Sequence, residues 1–92
     1  MLDRFRSIYR IDFVDGQPRV RHGRPPFGFV SACGDIARLY GIRSGHVECL
    51  GQGRSARLRF SDNIPERARQ PFRNVWTPPT APGPTGGRRM RG

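Results

Sequence analysis

Residues 4–24 read RFRSIYRIDFVDGQPRVRHGR, and two features of this run decide the fold. Apolar and polar side chains alternate from Phe5 to Val14, which predicts a strand with Phe5, Tyr9, Ile11 and Phe13 on one face. Asp15-Gly16 then supplies a two-residue hairpin turn, because both residue types tolerate the left-handed backbone that such a turn requires. Closing the turn pairs Val14 with Gln17, and the remaining register follows by counting. Phe13 meets Pro18, Ile11 meets Val20 and Tyr9 meets His22 on the apolar side. On the other side Asp12 meets Arg19, and Arg10 meets Arg21 in a like-charge pair. The apolar residues fall together without adjustment, as a half-buried hairpin demands.

The elements that follow are read in the same way. Pro25 and Pro26 suit the first turn of a helix, where backbone N–H groups have no partner. Phe29, Val30, Cys33, Ile36, Ala37 and Tyr40 recur at spacings of three and four, giving one apolar stripe that ends at Gly41, a natural C-terminal cap. A second hairpin begins near His46. A turn at Gln52-Gly53 pairs Val47 with Leu58 and Cys49 with Ala56, with Phe60 on the buried side. Outward, that register sets Glu48 against Arg57 and His46 against Arg59. Asn63 and Glu66 have the spacing of a capping box, with Pro65 in the first turn. The last helix turns Ile64, Ala68, Phe72, Val75 and Trp76 inward, and Pro71 should kink or divide it.

The chain thus reads as two ββα units. The fold class this predicts is α+β: a four-stranded antiparallel sheet with both helices on its apolar face. A single domain is expected over residues 1–76. From Thr77 the sequence TPPTAPGPTGGRRMRG is poor in apolar residues and predicts a disordered tail, residues 77–92, ending in Arg88, Arg89 and Arg91.

Charge sets the class of partner. The chain of 92 residues carries 17 basic and 7 acidic side chains, a formal net charge of +10, and every basic residue is arginine. A guanidinium is a planar fork that matches phosphate and carboxylate oxygens, and a net charge of this sign favours polyanions. With the helices on one face, the other carries Arg6, Arg10, Arg19, Arg21, His46, Arg57 and Arg59, opposed by Asp12 and Glu48 alone. These seven basic residues are the candidate ligand-binding set. The expected ligand is nucleic acid or another polyanion. An acidic protein or an anionic membrane surface is the alternative partner, and a solvated face without a ligand is the third reading. The outward non-polar residues are Ile8, Val14 and Leu50. With no aromatic side chain facing out for bases to stack on, nucleic acid would be held through its phosphates.

Catalytic and metal readings are weak. His46-Val47-Glu48 matches the start of a zinc-deaminase signature, but no Pro-Cys-x-x-Cys follows. His22, Cys33, His46 and Cys49 make up a Cys2His2 inventory, yet alternation sends His46 and Cys49 to opposite faces, and Cys33 lies on the apolar helix stripe. No nucleophile elbow and no P-loop is present. The sequence therefore predicts no enzyme, no catalytic residue, no metal and no cofactor. Two cysteines are too few for a secreted disulfide scaffold, and reduced buried thiols are expected. No signal peptide and no apolar run long enough to span a bilayer is present. The expected location is the cytoplasm, or the membrane surface if a segment is encoded upstream.

Three stretches, VDGQPRVRHGRPPFGF, DIARLYGIRSGHVE and RLRFSDNIPERARQPFRNVW, carry a resemblance. From about Ile11 to Trp76 the chain resembles a family of short bacterial proteins of unknown function, many of which look as though they carry an N-terminal membrane segment. The shared motifs are turns, helix starts and core positions, among them Arg73-Asn74, and the resemblance implies no activity. Pro71 departs from the helix-forming residue that the family pattern has there.

Overall fold

A computed structural model of the chain describes residues 6–79. Its elements are β1 (Ser7–Val14), β2 (Gln17–His22), α1 (Phe29–Tyr40), β3 (Ser44–Leu50), β4 (Arg57–Phe60) and α2 (Glu66–Val75), with a short 3-10 turn at Gly53–Ser55. The fold is α+β, with four antiparallel strands in the order β2-β1-β3-β4. The two ββα units meet along β1 and β3, so each unit contributes one central strand and one edge strand. Tyr9, Ile11, Phe13, Val47, Cys49 and Leu58 from the sheet pack with Phe29, Cys33, Ile36, Ala37, Ala68 and Phe72 from the helices. Burial on that scale accounts for the layered arrangement, since neither helix nor sheet could cover its apolar side alone. Phe72 joins the halves: its ring lies 5.9 Å from that of Phe13 and 5.7 Å from that of Phe60.

The first hairpin forms as the sequence predicts as far as Val20. Asp15 and Gly16 both have positive φ, 54° and 82°, and the pairs Val14–Gln17, Phe13–Pro18, Asp12–Arg19 and Ile11–Val20 are all present. Beyond Val20 the register slips, because Arg10 faces His22 instead of Arg21. Arg21 is the extra residue of a β-bulge, which bends the edge strand and removes both the Arg10–Arg21 and the Tyr9–His22 pairs. Gly23 explains how the chain leaves the bulge. Its φ is +79°, and a Cβ there would stand 2.1 Å from the Ile8 carbonyl oxygen. Only glycine lets β2 pass so close to β1. Val20 is 45 % exposed, since it sits on the edge strand, and it does not join the core.

The second hairpin departs further. The expected Gln52-Gly53 turn does not form; residues 51–56 make a longer connection through the 3-10 turn. The register moves by two residues, so that Val47 faces Phe60, Glu48 faces Arg59 and Cys49 faces Leu58. The pairs Glu48–Arg57 and His46–Arg59 are absent for the same reason. A two-residue shift leaves every side chain on its predicted face. Leu50 is buried, although alternation places it on the side of Glu48; its cross-strand neighbours are Ser7 and Arg57.

The helices also differ from expectation in detail. Pro25 and Pro26 precede α1 instead of opening it: Phe29 N–H donates to the Pro26 carbonyl, and Gly28 stands at the N-cap with φ 85°. Gly41 closes α1 in the left-handed conformation as predicted. Asn63 does not cap α2, whose N-cap is Pro65 with no side-chain bond. The Asn63 side chain instead accepts from Ser61 Oγ at 2.6 Å and donates to Ser44 Oγ at 2.9 Å, tying the loop before α2 to the start of β3. Pro71 sits inside α2 without dividing it, and Val75, predicted inward, is exposed. Trp76 turns back onto the core, where its Nε1–H donates to the Tyr9 hydroxyl at 3.0 Å. The next residues run along the 51–56 connection, and Gly53 N–H donates to the Pro79 carbonyl. Phe5, and the predicted tail from residue 80 on with Arg88, Arg89 and Arg91, lie outside the described residues. Among the described residues no helix is long and apolar enough to cross a membrane.

Candidate anion-binding face of the sheet

Alternation along the two central strands fixes what the uncovered face presents. Tyr9, Ile11 and Phe13 enter the core, so Arg10 and Asp12 point the other way; on β3, Val47 and Cys49 enter the core and His46 and Glu48 point out. The registers then assemble two adjoining rows across the sheet. One row runs His22, Arg10, Glu48, Arg59, and the other runs Arg19, Asp12, His46. Arg21, freed from the ladder by the bulge, reaches over to the second row.

Within these rows the two carboxylates sit low and the arginines stand above them. Asp12 accepts from Arg10 Nε at 2.7 Å and lies 3.5 Å from a terminal nitrogen of Arg21. Glu48 is 3.9 Å from Arg59 Nε. The side chains of Asp12 and Glu48 are 19 % and 14 % exposed, against 68 % for Arg21 and 66 % for Arg59. An object approaching this face meets guanidinium groups first. Arg21 and Arg59 stay open to solvent on their outer side, so these ion pairs leave guanidinium donors accessible. The repulsive Arg10–Arg21 pair expected from the sequence is replaced by an Arg10–Asp12–Arg21 bridge.

The remaining predicted residues are Arg6, Arg19, His46 and Arg57. Arg19 faces Asp12 across the ladder, yet among the described residues neither it nor Arg6 has an ion-pair partner. Arg6 and Arg57 lie at the far end of the sheet, flanking Ser7 and Leu50, where the Arg6 carbonyl accepts from Gly51 N–H. His46 stands between Asp12 and Ser61: its own N–H donates to Ser61 Oγ at 2.9 Å. Burial, and next the nearby Arg10 charge, hold the imidazole below its ordinary pKa of 6.5 in spite of Glu48 and Asp12. His22 lies at the exposed edge, hydrogen-bonded to Ser7 Oγ at 3.1 Å.

Two arginines missed in the sequence belong to the same neighbourhood. Arg69 and Arg73, one helical turn apart on α2, place their guanidinium carbons 5.5 and 5.3 Å from the centroid of the Phe60 ring on β4. Their spacing of four was visible, but only the packing of α2 beside β4 brings them to the sheet edge. Arg69 is also anchored, donating to the Ile64 and Ser61 carbonyls.

Nucleophiles and metal ligands are arranged differently. Cys33 and Cys49 are free and fully buried. Burial pushes the Cys33 thiol up to about 12 and also raises Cys49 and the Tyr9 phenol, so none of them ionises near neutrality. Among the described residues no three His, Cys, Asp or Glu side chains are grouped to hold a metal ion.

The family model described as "Protein of unknown function (DUF3634)" matches residues 2–89. The chain belongs to this family. The DUF3634 match takes in every strand and helix of the fold, in keeping with the resemblance carried by the turn and core motifs. No curated protein and no solved structure matches the chain. The DUF3634 description names no activity, so any function rests on the geometry above.

Proposed function

We propose that the chain is a small non-enzymatic binding module that takes nucleic-acid phosphates on the open face of its sheet. The observation that carries this reading is the layering of charge: Asp12 and Glu48 lie deep in the face, and the exposed guanidinium groups of Arg21 and Arg59 stand over them. A guanidinium has five N–H donors, so Arg10, Arg21 and Arg59 can each stay near a carboxylate and still offer donors for bidentate contact with phosphate oxygens. The sheet aromatics Tyr9, Phe13 and Phe60 belong to the helix-covered side. Among the described residues the strands present no Phe, Tyr or Trp on the open face for bases to stack on, and binding is therefore largely indifferent to sequence.

The bulge gives the reading a specific test. Arg19 and Arg21 lie on the edge strand, away from the core, so the double variant Arg19→Gln/Arg21→Gln should fold normally. Its affinity for a short fluorescein-labelled duplex should fall about tenfold or more, with a shallower dependence on salt, as expected when two phosphate contacts are lost. Unchanged affinity and slope in the folded variant would remove the open face from the binding surface.

A further inference from the structure

A groove of about 540 Å³ runs along the outer edge of β4. All four residues of that strand line it, together with Leu50, Arg69 and Arg73. Consecutive strand residues point to opposite faces, so a cavity lined by all of them follows the edge itself and not one face of the sheet. One wall carries Arg57 and Arg59 from the open face; the other carries Arg69 and Arg73 from α2, with Leu58 and Phe60 at the floor. Among the described residues no acidic side chain lines the groove. Glu48 approaches Arg59 at 3.9 Å and Glu66 approaches Arg69 at 3.4 Å from outside it, and Arg73 has no carboxylate partner among the described residues.

Among the described residues no strand pairs with the backbone along this edge. Ser61 N–H donates to the His46 carbonyl, which sets the alternation of the β3–β4 ladder. Arg59 and Arg57, two and four residues back, turn their backbone groups toward Glu48 and Leu50. Leu58 and Phe60 therefore turn theirs outward, into the groove. β4 is the last strand of the sheet, and it carries neither a proline nor a bulge, whereas the opposite edge, β2, has both Pro18 and the Arg21 bulge. Among the described residues the charged side chains along the β4 edge are arginines. Against a second copy of this chain they are an effective guard, since antiparallel β4–β4 pairing would set arginine against arginine.

We infer that the β4 edge accepts an extended acidic peptide segment as a fifth strand, with its backbone on Leu58 and Phe60 and its carboxylates on the two arginine walls. An extended segment sends alternate side chains to opposite sides, so acidic residues at successive positions would meet Arg57 and Arg59, then Arg69 and Arg73, in turn. Main-chain pairing fixes the segment, and charge selects it.

The test uses the full chain and an end-blocked octaglutamate peptide, with the fully N-methylated octaglutamate as control. The two carry the same charge, but the second cannot donate backbone hydrogen bonds. Octaglutamate at saturation should slow amide exchange at Leu58 and Phe60 about tenfold or more, and the N-methylated peptide should not. Arg59→Gln and Arg73→Gln should each weaken binding about tenfold, while Arg38→Gln, on α1, should leave it unchanged. Equal binding of both peptides, or unaltered exchange at Leu58 and Phe60, would overturn the proposal. So would displacement of the peptide by a single-stranded oligonucleotide that shifts the same amides, since the groove would then be an extension of a phosphate surface. Failure here is separable from failure of the open-face reading, because Arg19 and Arg21 stand on β2, at the other edge of the sheet.

Discussion

The β1–β2 hairpin closes on Asp15 and Gly16, both left-handed, whereas β3 and β4 are joined by residues 51–56 through a 3-10 turn. The first hairpin is tight at its turn and irregular at its open end, where Arg21 bulges and Gly23 presses against the β1 backbone. In the second the four strand pairs are regular and the irregularity lies in the connection. The contrast shows where each hairpin keeps its register. In the first it is stored in the turn and in one glycine; in the second, in the side chains of the loop after β4, where Ser61 and Asn63 bind His46 and Ser44.

Substitutions can break this contrast, the largest first. Gly23→Ala places a methyl group 2.1 Å from the Ile8 carbonyl oxygen, with Tyr9 atoms at 2.5 and 2.6 Å, so the paired backbones must separate. A loss on the order of 3 kcal/mol or more is expected from urea unfolding. Gly51→Ala also has positive φ, but its nearest obstacle is Ser55 in the connection, 2.8 Å away. That segment is outside the ladder and can yield, so about 1–2 kcal/mol is expected there. Equal losses at the two sites would dissolve the distinction between the hairpins.

Pro71→Ala sharpens it from the other direction. Proline inside α2 leaves the Arg67 carbonyl without its helical donor, and α1 has no counterpart to that defect. The alanine variant should gain roughly 2 kcal/mol, read as a higher thermal midpoint. A neutral or destabilising result would mean that the proline ring packs more usefully than an intact helix would. Ser61→Ala removes the acceptor of the His46 amide and should cost about 1 kcal/mol; the same change at Ser7, on the exposed His22 contact, should cost close to nothing.

The smallest effect concerns pH. His46 has a depressed pKa in the folded chain, so the unfolded chain binds its proton more readily. Stability then rises with pH between the folded pKa and the ordinary value of 6.5, and is lost as pH falls through that window. Urea midpoints taken from neutral to mildly acid pH should decline in this way, and His46→Asn should flatten the decline. A wild-type midpoint that holds steady through the window would contradict the depressed value.

The legible parts of the molecule are those set by local chemistry. The Asp15-Gly16 turn, the apolar stripe of α1, the Gly41 cap and the inward residues of the two central strands all follow from periods and turn residues. Cross-strand partners were less legible, because one inserted residue at Arg21 or two in the second connection changes every pair beyond it. The shift in the second hairpin was by two residues and spared the alternation, and so Arg57 and Arg59 kept the side expected of them. The depth of Asp12 and Glu48 beneath those arginines was not legible, since alternation gives a side and not a height. Arg69 and Arg73 were missed because their place beside β4 depends on how α2 packs, which no local pattern encodes.

The central claim is that the open face of the sheet, and not the helix layer, meets phosphate. An amide-shift titration with short mixed-sequence DNA and RNA tests it directly. The account predicts shifts confined to β1, β2, β3 and β4, and an affinity that falls by about two decades between about 50 and 200 mM salt, as for some four neutralised phosphates. Shifts concentrated on α1 and α2, or none at low salt, would contradict it.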